Sequence, residues 1–279
     1  MSLRSAVGVP ENCETLEVDG VRLAYARSGQ GPALVCLHAV GHGGGDFTEL
    51  EQSVRDRFDV ILIDWPGHGR SGLDTQEANP KRYAQLLDGF LKSLKVENPI
   101  LLGNSIGGAT ALLYAKQNPV RAMILCDSGG LVPVNFFVKT FCAAFTWFFS
   151  AGARGARWFA PMFRAYYRFM VLPQKAALDQ RERIIRSAYE IAPLLRDAWR
   201  GFGQADADLR EIAQALEVPV WFAWAKQDRV IPLNLCMPCI RKMKQARVTQ
   251  YPGGHSAFLE QPAAFIEGFN AFTSTLKSG

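Results

Sequence analysis

Two periodicities divide the chain. Glu14–Arg27, ETLEVDGVRLAYAR, alternates apolar and polar positions on either side of Asp19-Gly20, which predicts an antiparallel hairpin. Ala33–Leu37 is instead a solid apolar run, as a strand covered on both faces requires, and Asp59–Ile63, Ile100–Leu102, Arg121–Cys126, Val218–Ala225 and Ala246–Tyr251 read as further strands. Between them, apolar residues recur at helical spacing in Phe47–Arg57, Asn79–Lys95, the segment from Ser105 to Gln117, and Gln261–Thr275. This alternation predicts an α/β fold with a mostly parallel central sheet and right-handed crossovers.

The alternation lapses over residues 131–215. Val134–Met170 is dense in Phe, Trp and Tyr, and Lys175–Arg200 has a helical period. This segment is expected to be an inserted helical cap (lid), with residues 1–130 and 216–279 forming the core. Most of its aromatics are assigned to packing within the cap and a minority to a pocket wall. Phe136–Phe149 reads as too short to span a membrane, so no integral span is expected, although shallow surface contact stays compatible with it.

Composition adds bounds. With 279 residues, 48% hydrophobic and 20% charged, the chain can bury a full core and falls outside the disordered, collagenous and coiled-coil classes. The net charge of +5 lies entirely in residues 129–215, which hold twelve Lys or Arg against seven Asp or Glu. A solvated helical face is the simpler reading, an anionic substrate or surface the alternative. The N-terminal sequence shows no signal-peptide core, and the six cysteines are scattered, several within apolar strands, so a cytoplasmic location is expected. Cys236-Met237-Pro238-Cys239 has motif spacing but lacks the second ligand pair that zinc needs.

The chemistry centres on Gly103-Asn104-Ser105-Ile106-Gly107, a G-x-S-x-G between a strand and an alanine-rich helix. A sharp strand-to-helix turn presents the serine hydroxyl above the sheet, and glycines two before and two after the serine let strand and helix approach. The Ile106 amide, at the helix start, then points to whatever the serine attacks, as half of an oxyanion hole. The glycine-rich run after His38 is the natural source of the second donor, assigned to the Val40 amide. No Walker-type phosphate loop fits it. Asp64-Trp65-Pro66-Gly67-His68-Gly69-Arg70-Ser71 reads as a tight structural loop in which His68 is a hydrogen-bonding residue.

Asp228 and His255 each follow a predicted strand, as Ser105 does, so all three share the rim where open α/β sheets bind ligands. Asp127 also ends a strand and is a rival acid. The order Ser…Asp…His, the glycine turn after His38, the Asp64–Ser71 loop and the elbow resemble the α/β-hydrolase superfamily over nearly the whole chain. That resemblance implies an α/β-hydrolase fold. It also implies Ser105 as nucleophile, His255 as general base and Asp228 as the group that orients it. GNSIGGATALLYA and Asp-Arg-Val-Ile-Pro are most similar to the meta-cleavage-product hydrolases, which cut carbon–carbon bonds of ring-opened dienoates. From that group, Asn104 and a cap arginine are implied to hold polar groups of the substrate, with Ala39 beside it. The turn His38-Ala39-Val40-Gly41 lacks that group's proline, and Ser256 stands where it has tryptophan.

Hydrolysis of a small to medium apolar carboxylic ester is therefore the first expectation, carbon–carbon hydrolysis the second, and a ligand receptor on a hydrolase scaffold the third. No metal, other cofactor or nucleic-acid partner is expected, and a homodimer is left open.

Overall fold

The computed structural model describes residues 6–276. Met1–Ser5, which carry part of the N-terminal reading above, and Lys277–Gly279 lie outside the described residues.

Strands β1 (Glu14–Val18) and β2 (Val21–Gly29) form the expected hairpin, with Val18 opposite Val21. Asp19 and Gly20 both take positive φ, 48° and 75°, as a two-residue turn matching strand twist requires. Six further strands follow: β3 (Ala33–Leu37), β4 (Asp59–Ile63), β5 (Ile100–Asn104), β6 (Ala122–Cys126), β7 (Val220–Ala225) and β8 (Ala246–Tyr251). The sheet order is β1-β2-β4-β3-β5-β6-β7-β8, parallel from β4 onward, with β1 and β2 antiparallel.

Helices α1 (Thr48–Val54), α2 (Pro80–Ser93) and α3 (Ile106–Ala115) lie between these strands. Alternation along β3 divides the core. Val35 and Leu37 face the cluster that holds Tyr83, Leu86, Phe90 and Leu112, whereas Leu34 and Cys36 face the one that holds Phe47, Val54 and Phe269. Strand β3 has β4 on one side and β5 on the other, so the chain winds away in opposite directions at this point. The carboxyl ends of β3 and β5 thus flank a crevice.

Between β6 and β7 the chain leaves the sheet for α4 (Phe136–Ala153), α5 (Phe159–Tyr166), a π-helical turn at Tyr167–Val171, α6 (Leu178–Arg186), α7 (Ala188–Phe202) and α8 (Arg210–Ala215). Helices α4 and α7 pack together, with Phe145 stacked on Trp199 at 4.5 Å. Two expectations need correction. Helix α4 does not stop at Phe149. It continues through Ala153, because Ala151 and Gly152 pack where Gly152 has no room for a side chain against Phe159 and Ala192. Its 18 residues make it long and apolar enough to cross a membrane by length and composition. Helix α8, placed in the cap by sequence, packs instead on α3 and on α9 (Leu233–Ile240), and Ala213 belongs to the sheet core. Cys236 and Cys239 both lie on α9, buried as reduced core thiols. The chain closes with α10 (Ala257–Glu260) and α11 (Pro262–Thr273).

The join between β5 and α3 is the tightest point of the fold. A Cβ on Gly103 would lie 2.5 Å from the Gly107 carbonyl carbon, and one on Gly107 would press on the Leu37 carbonyl oxygen. Gly107→Ala is expected to lower stability by about 1–3 kcal/mol through overpacking, read as a drop in the urea midpoint. An unchanged midpoint would mean that strand and helix have slack to separate.

Candidate active site

Ser105 sits between β5 and α3 with φ 55° and ψ −112°, a left-handed conformation that a non-glycine residue adopts only when its surroundings impose it. Its N–H donates to Cys126 O at 3.0 Å, and its carbonyl accepts from the N–H groups of Gly108, Ala109 and Gly129 at 3.0–3.2 Å. These four bonds tie the serine to β6, to the first turn of α3 and to the loop after β6. Ile106 begins α3, so its N–H has no acceptor within the helix.

Ser105 and His255 line one cavity of about 340 Å³. His255, buried in the loop after β8, places Nδ1 2.9 Å from Asp228 Oδ2. The other Asp228 oxygen accepts from the N–H groups of Val230 and Ile231 at 2.7 and 2.9 Å, so this carboxylate is oriented by its own loop. Burial lowers the His255 pKa and the adjoining Asp228 carboxylate raises it; the net shift is upward. The sequence-predicted nucleophile, base and acid are thus on one rim.

Asp127 occupies a different position. Its φ is 47°, and its oxygens accept from Ala225 N–H at 2.7 Å and Ala257 N–H at 3.3 Å, tying β6 to β7 and to the start of α10. Burial, and then the Asp228 charge, push its carboxyl well above the ordinary carboxylate range. Donor atoms of Asp127, Asp228 and His255 lie within 4.8 Å of one another, as a metal site would need. Those donors are already engaged by backbone amides and by each other, which makes the arrangement self-sufficient without an ion.

Asn104, expected to hold substrate, is placed among partners within the protein. The side chain is fully buried, Nδ2 donates to Cys126 O and His255 O at 3.0 and 3.1 Å, and Oδ1 accepts from Ser256 Oγ at 3.0 Å. Both amide N–H groups and the amide oxygen are engaged with β6 or the His255 loop. Ser256, where the dienoate hydrolases have tryptophan, is the partner that completes this link. Among the described residues no cap arginine lines the cavity, and the Lys or Arg on its wall is Arg229 from the loop after β7. Ala39 does line the cavity, beside Val40.

The turn that carries Val40 is held by two histidines. His38 Nε2 accepts from Trp65 N–H at 2.9 Å, which leaves the proton on Nδ1 to donate to Ala39 O at 2.7 Å. Burial pushes His38 down to about 3, so it stays neutral. His68 Nε2 accepts from Gly41 N–H at 2.8 Å while its Nδ1–H donates to Pro66 O at 2.9 Å. The peptide groups on either side of Val40 are therefore fixed, and His68 acts in the loop as the sequence predicts. Asp64 anchors the same loop, accepting from Val9, Gly44 and Arg70 N–H groups at 2.7–3.2 Å.

Sequence reasoning passed over His42. It lines the cavity, its Nδ1 lies 2.6 Å from the buried Asp46 carboxylate, and Gln180 of α6 donates to the other Asp46 oxygen. The available signal was a His and an Asp four residues apart inside the glycine turn.

An eight-stranded sheet, a serine at a strained strand-to-helix turn and a His–Asp pair on the same rim define an α/β hydrolase. Residues 34–267 match the Alpha/beta hydrolase family, and the chain belongs to that family. It is 25% identical over 275 residues to the 2-hydroxy-6-oxo-6-phenylhexa-2,4-dienoate hydrolase of Burkholderia cepacia, covering 88% of each chain. Its fold is similar to that of the esterase RhEst1 from Rhodococcus sp. ECU1013, with a TM-score of 0.78 at 20% identity, covering 95% of this chain and 99% of that one. It is likewise similar to the enol-lactonase of Burkholderia xenovorans LB400, with a TM-score of 0.77 at 18% identity, covering 94% and 100%.

Two outcomes follow from this geometry. Asn104→Ala strands the Ser256 hydroxyl and frees the His255 loop, so kcat is expected to fall at least about tenfold with KM changed far less. A raised KM at constant kcat would return Asn104 to substrate binding. A protonated imidazole cannot accept a proton, so kcat/KM should rise with pH along a limb centred above 6.5, the ordinary histidine value. A limb centred below that value would contradict the assigned pairing with Asp228.

Proposed function

We propose that the protein is a serine hydrolase that cleaves small to medium, largely apolar carboxylic esters through an acyl-enzyme. In this reading Ser105 Oγ attacks the ester carbonyl while His255 Nε2 takes its proton and then returns it to the departing alcohol. Asp228 holds the imidazole tautomer and stabilises the imidazolium. The Ile106 and Val40 amides receive the tetrahedral oxyanion, a contribution of about 3 kcal/mol for each donor. Water, activated by the same histidine, then releases the acid.

The observation that carries the substrate class is the cavity wall. Val132, Val134, Phe141, Leu195, Trp199 and Phe202 supply an apolar surface around Ser105, and the volume of about 340 Å³ suits a small ligand. The Burkholderia relative supports a second reading, hydrolysis of a carbon–carbon bond in a ring-opened dienoate. Such a substrate carries a carboxylate and an enol, and the engaged Asn104 together with the lack of a cap arginine on the wall favours the ester.

Purified protein is expected to turn over short to medium p-nitrophenyl esters repeatedly while leaving a chromophoric ring-opened dienoate intact. Fast dienoate cleavage with slow ester cleavage would reverse the ranking, and failure to turn over either would leave the scaffold as a receptor. Asp228→Asn is expected to lower kcat by about 10³–10⁴-fold, from the loss of the correct imidazole tautomer. Asp127→Asn should cost less, and the reverse order would transfer the acid's role to Asp127.

A further inference from the structure

The cap carries an apolar surface that the hydrolytic site does not explain. On α4, Phe136, Phe137 and Trp147 are 76%, 79% and 64% exposed, and Thr140, Ala143 and Ala144 lie exposed between them at helical spacing. Trp147 stacks on Trp158 at 5.6 Å, which carries the patch to the start of α5, where exposed Met162 extends it by a turn. Helix α4 is apolar enough to cross a bilayer, yet only 22% of it is buried within the protein. A contiguous patch of this kind on a single chain marks a surface that something covers.

Charge selects the occupant. From Ser128 to Leu178 the sequence contains no Asp or Glu and six cations, Lys139, Arg154, Arg157, Arg164, Arg168 and Lys175. Among the described residues only Arg164 of these six is in an ion pair, with Glu182. Arg154 and Arg157 stand between Trp147 and Trp158, and Lys139 stands beside Phe136 and Phe137. A shallow groove along α4 is lined by Lys139, Thr146, Trp147, Ser150 and Arg154, so cation, hydroxyl and indole groups meet where an apolar face ends. A second copy of the chain related by two-fold symmetry would set this acid-free, cationic face against itself. An anionic lipid surface supplies the opposite charge and an apolar layer beneath it.

We propose that the α4–α5 face of the cap docks on an anionic lipid membrane, with Phe136, Phe137, Trp147, Trp158 and Met162 entering the interface and Lys139, Arg154 and Arg157 meeting the headgroups. The helix lies in the plane of the interface and does not cross it, because Cys142, Phe149 and Gly152 on its other face are buried in the cap. The same helix places Phe137, Val138 and Phe141 on the cavity wall, so an apolar compound dissolved in the lipid meets the cavity without passing through bulk water. Docking does not depend on what Ser105 cleaves, and its test reads binding alone.

The test is flotation of the full-length protein with phosphatidylcholine vesicles, with and without phosphatidylglycerol. The protein is expected to float with the phosphatidylglycerol vesicles and to be released as salt is raised. The triple variant Phe136→Ser/Trp147→Ser/Met162→Ser should lose at least about tenfold in partitioning, and Arg154→Gln/Arg157→Gln should lose the preference for anionic vesicles. Should the triple variant fail to fold, quenching of the wild-type indoles by brominated acyl chains gives the answer without it. Protein that stays unbound to both vesicles, indoles that are not quenched, or a triple variant that binds as wild type would overturn the proposal. So would a dimer that the triple variant converts to monomer, since a second copy would then be what covers the face.

Discussion

Everything in the candidate site depends on one strained residue. Ser105 is held at positive φ, a conformation that costs about 1–3 kcal/mol for a residue with a side chain. Strand β5 and helix α3 impose it by closing on each other where neither Gly103 nor Gly107 has a side chain. The consequence is geometric. The serine stands at the crevice beside β3, and α3 starts directly after it with the Ile106 N–H lacking an acceptor within the helix. In the proposed reading, relaxing the turn would lose the nucleophile's position and an oxyanion donor together.

Around that point the polar groups form a frame that is buried and mutually satisfied. Asn104 joins the elbow strand to the His255 loop, Asp127 joins β6 to β7 and α10, and His38 and His68 grip the turn that carries Val40. Apart from the Asn104–Ser256 bond these side chains act on backbone, whereas Asp228 is held by backbone through one oxygen and meets His255 with the other. This difference separates the two buried aspartates more sharply than their positions do, since both end parallel strands. The same economy explains why few polar groups remain for a substrate, and why the cavity is mainly an apolar one.

Much of this was legible in the sequence because local pattern encodes it. Apolar runs such as Ala33–Leu37 mark the buried parallel strands, Asp19-Gly20 marks the hairpin, and the spacing of Gly103 and Gly107 about Ser105 marks the elbow. What stayed hidden depends on partners distant in sequence. Asn104 looked like a substrate ligand because its neighbours 22 and 151 positions away could not be foreseen. The pairing of His42 with Asp46 needed the glycine turn to fold into a helical one, and the place of α8 was set by packing on α3 and α9. The exposed face of α4 was hidden for another reason. Aromatic residues at helical spacing imply burial, and only the packing of the helices between β6 and β7 shows which of them are left outside.

The central claim, that Ser105 is an activated nucleophile made so by this frame, is tested most directly by a fluorophosphonate probe and peptide mapping of its adduct. One adduct per chain is expected, on the peptide that contains Ser105, and none after Ser105→Ala in a protein that melts as the wild type does. An adduct that persists in the Ser105→Ala protein, or one that maps to another residue, would contradict it.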